Sequence, residues 1–225
     1  NVWVATADAG VSRFDPVNKI ATNFSHSDID TNSLSSNQTS DIYEDAAGHI
    51  WIATSEGLNL FLAKSNSFMR YTSYNSGLPE DLVISVYQSR EGNYWVGTLS
   101  GLATGMKTDF KKFDQRHGNL SNDSVNAFSE TSDGSLWVGT DHGLNRLRPG
   151  ATDFEWINGL TKPAIKNPKI MSLLSDKDSL WVGTYESGVN KIELTSGKVT
   201  HYQRNNQLKS SIGANGITSL LRLST

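Results

Sequence analysis

The stretch Glu130-Thr131-Ser132-Asp133-Gly134-Ser135-Leu136-Trp137-Val138-Gly139-Thr140-Asp141-His142-Gly143-Leu144-Asn145 decides the fold. Its centre, Leu136-Trp137-Val138, is apolar without polar alternation. A strand buried on both faces reads this way. Side chains alternate along a strand, so Trp137 and Gly139 share one face. A small residue beside the indole leaves room for bulk from a neighbouring sheet. Upstream, Asp133-Gly134 between apolar runs signals a tight hairpin, because glycine accepts positive φ. Downstream, Thr140-x-x-Gly143 leads into a further apolar run.

The same pattern recurs around Trp3, Trp51, Trp95 and Trp181, in steps of 48, 44, 42 and 44 residues counted through Trp137. Only Trp156 of the six tryptophans stands outside the series. In four copies an upstream apolar run begins 11 or 12 positions before the tryptophan, at Thr39, Val83, Val125 and Ile170. Each also has a downstream aromatic run, such as Phe68-Met69-Arg70-Tyr71 or Phe154-Glu155-Trp156. Four strands per copy, here called a to d, account for these features, with the tryptophan on b. Four antiparallel strands in about 40–45 residues is the period of a propeller blade. The expected fold is therefore all-β, a β-propeller of five four-stranded blades forming one domain over residues 1–225. Counting 12 positions from Ile217 places the next tryptophan just past Thr225, near where Asn1-Val2-Trp3 begins. The arithmetic predicts that Ile217 to Leu223 pairs with Val2 to Thr6 and closes the ring, removing an open sheet edge.

Composition narrows the function. There is no cysteine, which excludes thiol nucleophiles and cysteine-ligated metals. Twenty basic against 23 acidic residues give a net charge of −3 and no electrostatic pull toward nucleic acid. No apolar run approaches the ~18 residues of a membrane span, so no membrane contact is expected within this segment. The chain opens at Asn1 without Met or an apolar leader, which leads us to expect a processed protein or a piece of a longer one.

The string Asp/Glu-x-x-Gly-x-Leu-Trp-Val-Gly-Thr-x-x-Gly-Leu-Asn, best seen in Glu130 to Asn145 and in Glu44 to Asn59, resembles the two-component regulator propeller repeat. Departures are Ala5 and Ala53 for glycine, Ser179 for the turn glycine and Ala103 for asparagine. The resemblance implies the periplasmic sensor region of a membrane receptor, followed in such receptors by histidine kinase or diguanylate cyclase domains. Those domains would be this chain's partners.

Catalytic constellations are not legible. The five histidines show no metal-ligand spacing, and phosphate loops and nucleophile elbows are missing. No cofactor is expected. Acidic turns such as Glu44-Asp45 and Asp176-Lys177-Asp178 read as hairpins capped by their own aspartates. Trp3, Trp51, Trp95, Trp137 and Trp181 read as core, whereas Trp156, on an outer strand, is a candidate interface aromatic and allows a homodimer.

Residues inside the Thr-x-x-Gly turns differ from copy to copy while the framework repeats. These b–c turns share a face with the d–a connections, around the channel mouth, and loops on a rigid scaffold are where binding concentrates. The candidate ligand-binding residues are Glu56, Asp81, Asp123, His142, Lys169, Tyr185 and Glu186. The reading is a non-catalytic sensor that binds a small molecule or oligosaccharide. Two alternatives are an enzyme, since the repeat is somewhat similar to that of streptogramin lyases, and a five-bladed glycan-binding lectin. Inequivalent loops argue against five identical sugar sites.

Overall fold

Four of the five tryptophan motifs form the second strand of a four-stranded antiparallel meander, and the Trp3 motif forms the first strand of a three-stranded one. The structure, a computed structural model, describes residues 1–106, 110–157 and 165–222. Its contacts divide the chain into two units, Asn1–Lys112 and Phe113–Thr225.

The first unit holds three sheets. One is three-stranded: β1 (Val2–Ala5), β2 (Val11–Asp15) and β3 (Ile20–Phe24). The second has β4 (Thr39–Glu44), β5 (Ile50–Thr54), β6 (Gly57–Leu62) and β7 (Ser67–Tyr71). The third has β8 (Val83–Gln88), β9 (Tyr94–Thr98), β10 (Gly101–Gly105) and β11 (Phe110–Phe113), whose last residue lies past the unit boundary. A single helical turn, α1 (Ser73–Ser76), sits between β7 and β8. The second unit holds β12 (Val125–Glu130), β13 (Leu136–Thr140), β14 (Gly143–Leu147) and β15 (Glu155–Ile157). It also holds β16 (Ile170–Asp176), β17 (Ser179–Thr184), β18 (Val189–Glu193) and β19 (Val199–Tyr202). Four sheets thus have the expected a-b-c-d order, and their first strands begin at Thr39, Val83, Val125 and Ile170. This is the blade architecture of a β-propeller.

Each of these first strands slips register near its start, between Thr39 and Asp41, Val83 and Ser85, Val125 and Ala127, and Ile170 and Ser172. A bulge at one recurring place bends each strand alike.

Packing follows the paired apolar strands. In the first unit Trp51, Tyr71, Val83, Tyr94 and Phe110 share one cluster, and Val11, Leu34, Ile52, Phe61 and Phe68 another. In the second, Trp137, Leu144, Ile170, Leu180 and Ile192 pack together. Trp51, Trp95 and Trp137 are buried, while Trp3 and Trp181 are half-buried.

Among the described residues the first sheet has three strands. Residues 217–222 take no strand, and residues 223–225, which include the expected strand end Leu223, lie outside the described residues. Val2 and Val4 on β1 are exposed. Within the second unit, Ile217 N–H donates to the Thr184 carbonyl at 2.9 Å, as Thr39 N–H donates to the Thr6 carbonyl at 3.2 Å at the start of β4. Ile217 therefore occupies the place of a first strand's opening residue, but a strand also needs a ladder partner along its length.

Candidate functional site in the Thr-x-x-Gly turns

The threonine and glycine of each b–c turn have a defined job. The threonine hydroxyl donates to the glycine carbonyl, at 2.9 Å for Thr54 and Gly57, 2.7 Å for Thr98 and Gly101, 3.0 Å for Thr140 and Gly143, and 2.9 Å for Thr184 and Gly188. The same oxygen accepts the amide of a turn residue, Glu56, Ser100, His142 or Ser187. The glycine passes close beneath its d strand. At Gly57, with φ at +125°, an added Cβ would lie 2.6 Å from the Tyr71 carbonyl oxygen. The scaffold is thus fixed by backbone chemistry, and the intervening side chains are free to vary.

The d–a connections are also pinned. Asn59 Oδ1 accepts the Ser35 amide at 2.9 Å while its Nδ2 donates to Ser35 Oγ. Asn145 does the same with Ser121, at 2.8 and 2.9 Å. A second pin ties the loop entrance to its exit. Asp81 Oδ1 accepts the Ser73 amide at 2.6 Å and Asp123 Oδ1 accepts the Gln115 amide at 2.7 Å. Asn37 and Asn215 do likewise for His26 and Arg204. Asp81 and Asp123 therefore each commit an oxygen to loop structure.

In the first unit, Glu56 is exposed at its turn. Its neighbour on this face, Glu80, was not anticipated. Its Oε2 accepts the Ser100 hydroxyl at 2.5 Å and its Oε1 the Leu99 amide at 3.2 Å.

In the second unit the structure brings Lys169 and Tyr185 together. Lys169 Nζ lies 5.3 Å from the Tyr185 ring centroid, and the Lys169 carbonyl accepts the Tyr185 amide at 3.0 Å. Nζ also reaches Asp141 Oδ2 at 3.2 Å, and Asp141 Oδ1 accepts Asn126 Nδ2 at 2.9 Å. Asn126, the bulge residue of β12, donates from the same amide nitrogen to the Ile170 carbonyl. Asp141 and Asn126 were missed because their meeting depends on the bulge. The result is an aromatic ring 53% exposed, with an ammonium over its face and a carboxylate behind. Glu186 follows Tyr185 on the turn and is exposed. His142, exposed on the neighbouring turn, lines a separate cavity of about 280 Å³ with Trp156, Lys166 and Asn167.

The remaining histidines serve the fold. His49 Nδ1 bonds Asp45, His117 Nδ1 bonds Asp114, and His26 bridges the Leu34 carbonyl and Asp28. The Leu34 carbonyl, followed by Asp28, raises the His26 pKa above its ordinary value. His201 Nδ1 bonds Asn190 Oδ1 at 2.6 Å, and burial, with Lys166 nearby, lowers its pKa. Among the described residues no group of three or more His, Asp or Glu is placed to hold a metal, and no helix is long and apolar enough to cross a membrane.

Antiparallel four-stranded blades, each with its tryptophan on the second strand, define a β-propeller repeat protein. The model of the two-component regulator propeller repeat matches residues 33–56, 77–100 and 119–142. No curated protein matches the chain. Among solved structures, the extracellular domain assigned to the hybrid two-component system BT3049 of B. thetaiotaomicron superposes with a TM-score of 0.81 at 19% identity, covering 96% of this chain and 28% of that one. The corresponding domain of BT4673 from the same organism gives 0.72 at 23% identity, covering 97% and 29%. Virginiamycin B lyase from Staphylococcus aureus gives 0.66 at 15% identity, covering 89% and 65%. The chain thus spans under a third of the two receptor domains and about two thirds of the lyase. At these identities the likeness is one of fold.

Proposed function

We propose that this chain is part of the extracytoplasmic sensor region of a signalling receptor. In this reading it binds a ligand without turning it over and passes the event to a histidine kinase or diguanylate cyclase. The carrying observation is the repeat type, supported by the fold shared with extracellular domains of hybrid two-component systems. A periplasmic location and a small-molecule or oligosaccharide ligand belong to the same proposal. The site is the Thr-x-x-Gly face of the second unit, where Lys169 and Tyr185 offer a cation beside an exposed ring and His142 and Glu186 flank them. Binding needs only a few convergent polar groups on a rigid support. Catalysis needs a nucleophile or base held against an orienting partner, and the His–Asp pairs found here close their own turns.

The test is a thermal-shift screen of oligosaccharides and small organic acids against wild type and a His142→Ala/Lys169→Ala/Tyr185→Ala variant. A ligand that stabilises wild type and not the variant supports the proposal. A ligand whose stabilisation survives all three changes retires this site. Conversion of any screened compound retires the non-catalytic reading.

A further inference from the structure

The cavity beside His142 has a one-sided chemistry. Leu144, Ile165 and Ile170 form a buried apolar floor, and Trp156, 49% exposed, forms a wall. Its polar rim comes from Trp156, Lys166, Asn167 and His142, and among the described residues no carboxylate lines it. The donors on this rim are largely unspent. Lys166 Nζ has only the neutral Gln203 Oε1, at 3.3 Å, and no ion-pair partner among the described residues. Asn167 uses Oδ1 to accept the Lys169 amide at 2.8 Å, which leaves its Nδ2 hydrogens to donate. Trp156 Nε1–H has no acceptor among the described residues. The indole lies where it does because Gly143 has no side chain: a Cβ there would sit 2.4 Å from Nε1.

A rim of donors without an acid, in a chain of net charge −3, selects an anion. The apolar floor and the indole wall select a flat or apolar body attached to it. A neutral sugar, whose many hydroxyls need acceptors as well as donors, finds few acceptors here. We propose that this cavity binds a small organic carboxylate, its body on Leu144, Ile165 and Trp156 and its carboxylate at Lys166 and Asn167. At about 280 Å³ the cavity stands at the small end of ligand pockets, which run roughly 300–1,000 Å³, so the ligand has about the bulk of one substituted ring. The inference rests on the reading of this face as ligand-binding and names the ligand class.

The experiment titrates the protein with benzoate, its neutral isostere benzamide, and maltose, following tryptophan emission and calorimetric heat. Benzoate should bind at least tenfold more tightly than benzamide. Lys166→Gln should weaken benzoate about tenfold or more, the worth of a charge-assisted hydrogen bond, with benzamide unaffected, and Lys166→Arg should retain most of the affinity. Trp156→Leu should weaken both ring compounds. Both side chains are exposed, and an unchanged melting temperature verifies that each variant is folded. Equal binding of acid and amide, benzoate affinity unchanged by Lys166→Gln, or no benzoate binding at millimolar concentration would each overturn the proposal. Maltose binding that is lost in Tyr185→Ala, without benzoate binding, would overturn it and leave the sensor reading standing.

Discussion

Tyr94 donates its phenolic hydrogen to Asp45 Oδ2 at 2.6 Å, joining the third sheet of the first unit to the a–b turn of the second. The Asp45 side chain is fully buried. The same oxygen accepts Trp51 Nε1–H at 3.0 Å, and Oδ1 accepts the amides of Ala47 and His49 at 2.9 Å. Burial by itself would raise the Asp45 carboxyl. The hydrogen bonds from Tyr94, Trp51 and His49 outweigh it and hold the group far below the ordinary carboxylate range.

Removing the Tyr94 hydroxyl leaves a buried anion one donor short. Tyr94→Phe should cost roughly 1–3 kcal/mol, the range for a buried group deprived of a partner. Asp45→Asn should cost more, because an amide NH₂ would face donors. The urea midpoint should fall in both with little change in slope. An unchanged midpoint in Tyr94→Phe would mean that the bond contributes nothing to stability.

Acid should find both this carboxylate and Asp133 of the second unit. Asp133 is held at about 2, below its ordinary value of 3.8: burial raises it, but the Thr131 hydroxyl, Ser135 and the charge of Arg146 outweigh that. A carboxyl with a lowered folded pKa contributes stability that is present above its unfolded value and lost as pH falls through the folded one. For Asp133 and Asp45 that window opens near 3.8 and runs downward. Urea midpoints measured from neutral pH into this window should fall steeply below pH ~4. Asp133→Asn should be less stable at neutral pH and lose less on acidification, and equal acid loss in variant and wild type would contradict this.

The tryptophans should divide into two groups. Trp51→Ala and Trp137→Ala remove rings buried in their clusters and should each cost roughly 3–5 kcal/mol. Trp3 and Trp181 are half-buried, and Trp181 stacks on Tyr202 with centroids 5.6 Å apart. Their alanine variants should retain more stability in the same denaturation assay. Equal losses across all four would show that exposure does not govern the cost.

Strand order was readable because the tryptophan period and the Asp-Gly and Thr-x-x-Gly turns are local features. The bulges at Ser40, Ile84, Asn126 and Met171 carry no common residue type, so the meeting of Asn126 with Asp141 was hidden. Asp81 and Asp123 looked like ligand groups because spacing does not reveal an amide eight residues upstream waiting for an acceptor. Lys169 and Tyr185 each read in the sequence only as polar residues of the loop face, and the packing of two turns puts one over the other. Trp156 was visible as the tryptophan outside the series. Its companions Lys166 and Asn167 follow the Trp156 strand across a connection whose path local spacing does not encode.

The Asn-Ser pin gives a comparison within one molecule. Asn59 and Asn145 satisfy both ends of their amides, whereas buried Asn190 has no partner for Nδ2 among the described residues. Lys166 stands 24 residues before Asn190, where Ser35 and Ser121 precede Asn59 and Asn145 by 24. Alanine at Asn59 or Asn145 should strand the Ser35 or Ser121 amide, at about 1–3 kcal/mol. Asn190→Ala should cost measurably less in the same assay. A loss at Asn190 as large as at Asn145 would mean that the lone bond to His201 carries the whole effect.

Glycine beside the tryptophan is a spacer whose size answers the residue opposite. A Cβ on Gly139 would lie 2.5 Å from Ile170 Cγ2 and 3.0 Å from its Cβ, and one on Gly183 would lie 2.6 Å from Ile217 Cγ2. In the second sheet of the first unit the same place holds Ala53, which shares a cluster with the smaller Val83. Gly139 has no positive φ that would strain another residue, so Gly139→Ala tests contact alone. It should cost roughly 1–3 kcal/mol through overpacking. Ile170→Ala removes Cγ2 but leaves a cavity, at roughly 2–5 kcal/mol. In the double variant the new methyl enters that cavity, so the combined loss should fall short of the sum by at least about 0.5 kcal/mol, the signature of residues in contact. Chemical denaturation of the four proteins measures the cycle. Strict additivity, or a Gly139→Ala protein as stable as wild type, would show that the sheets can part to admit a methyl and that glycine at this position is not a packing requirement.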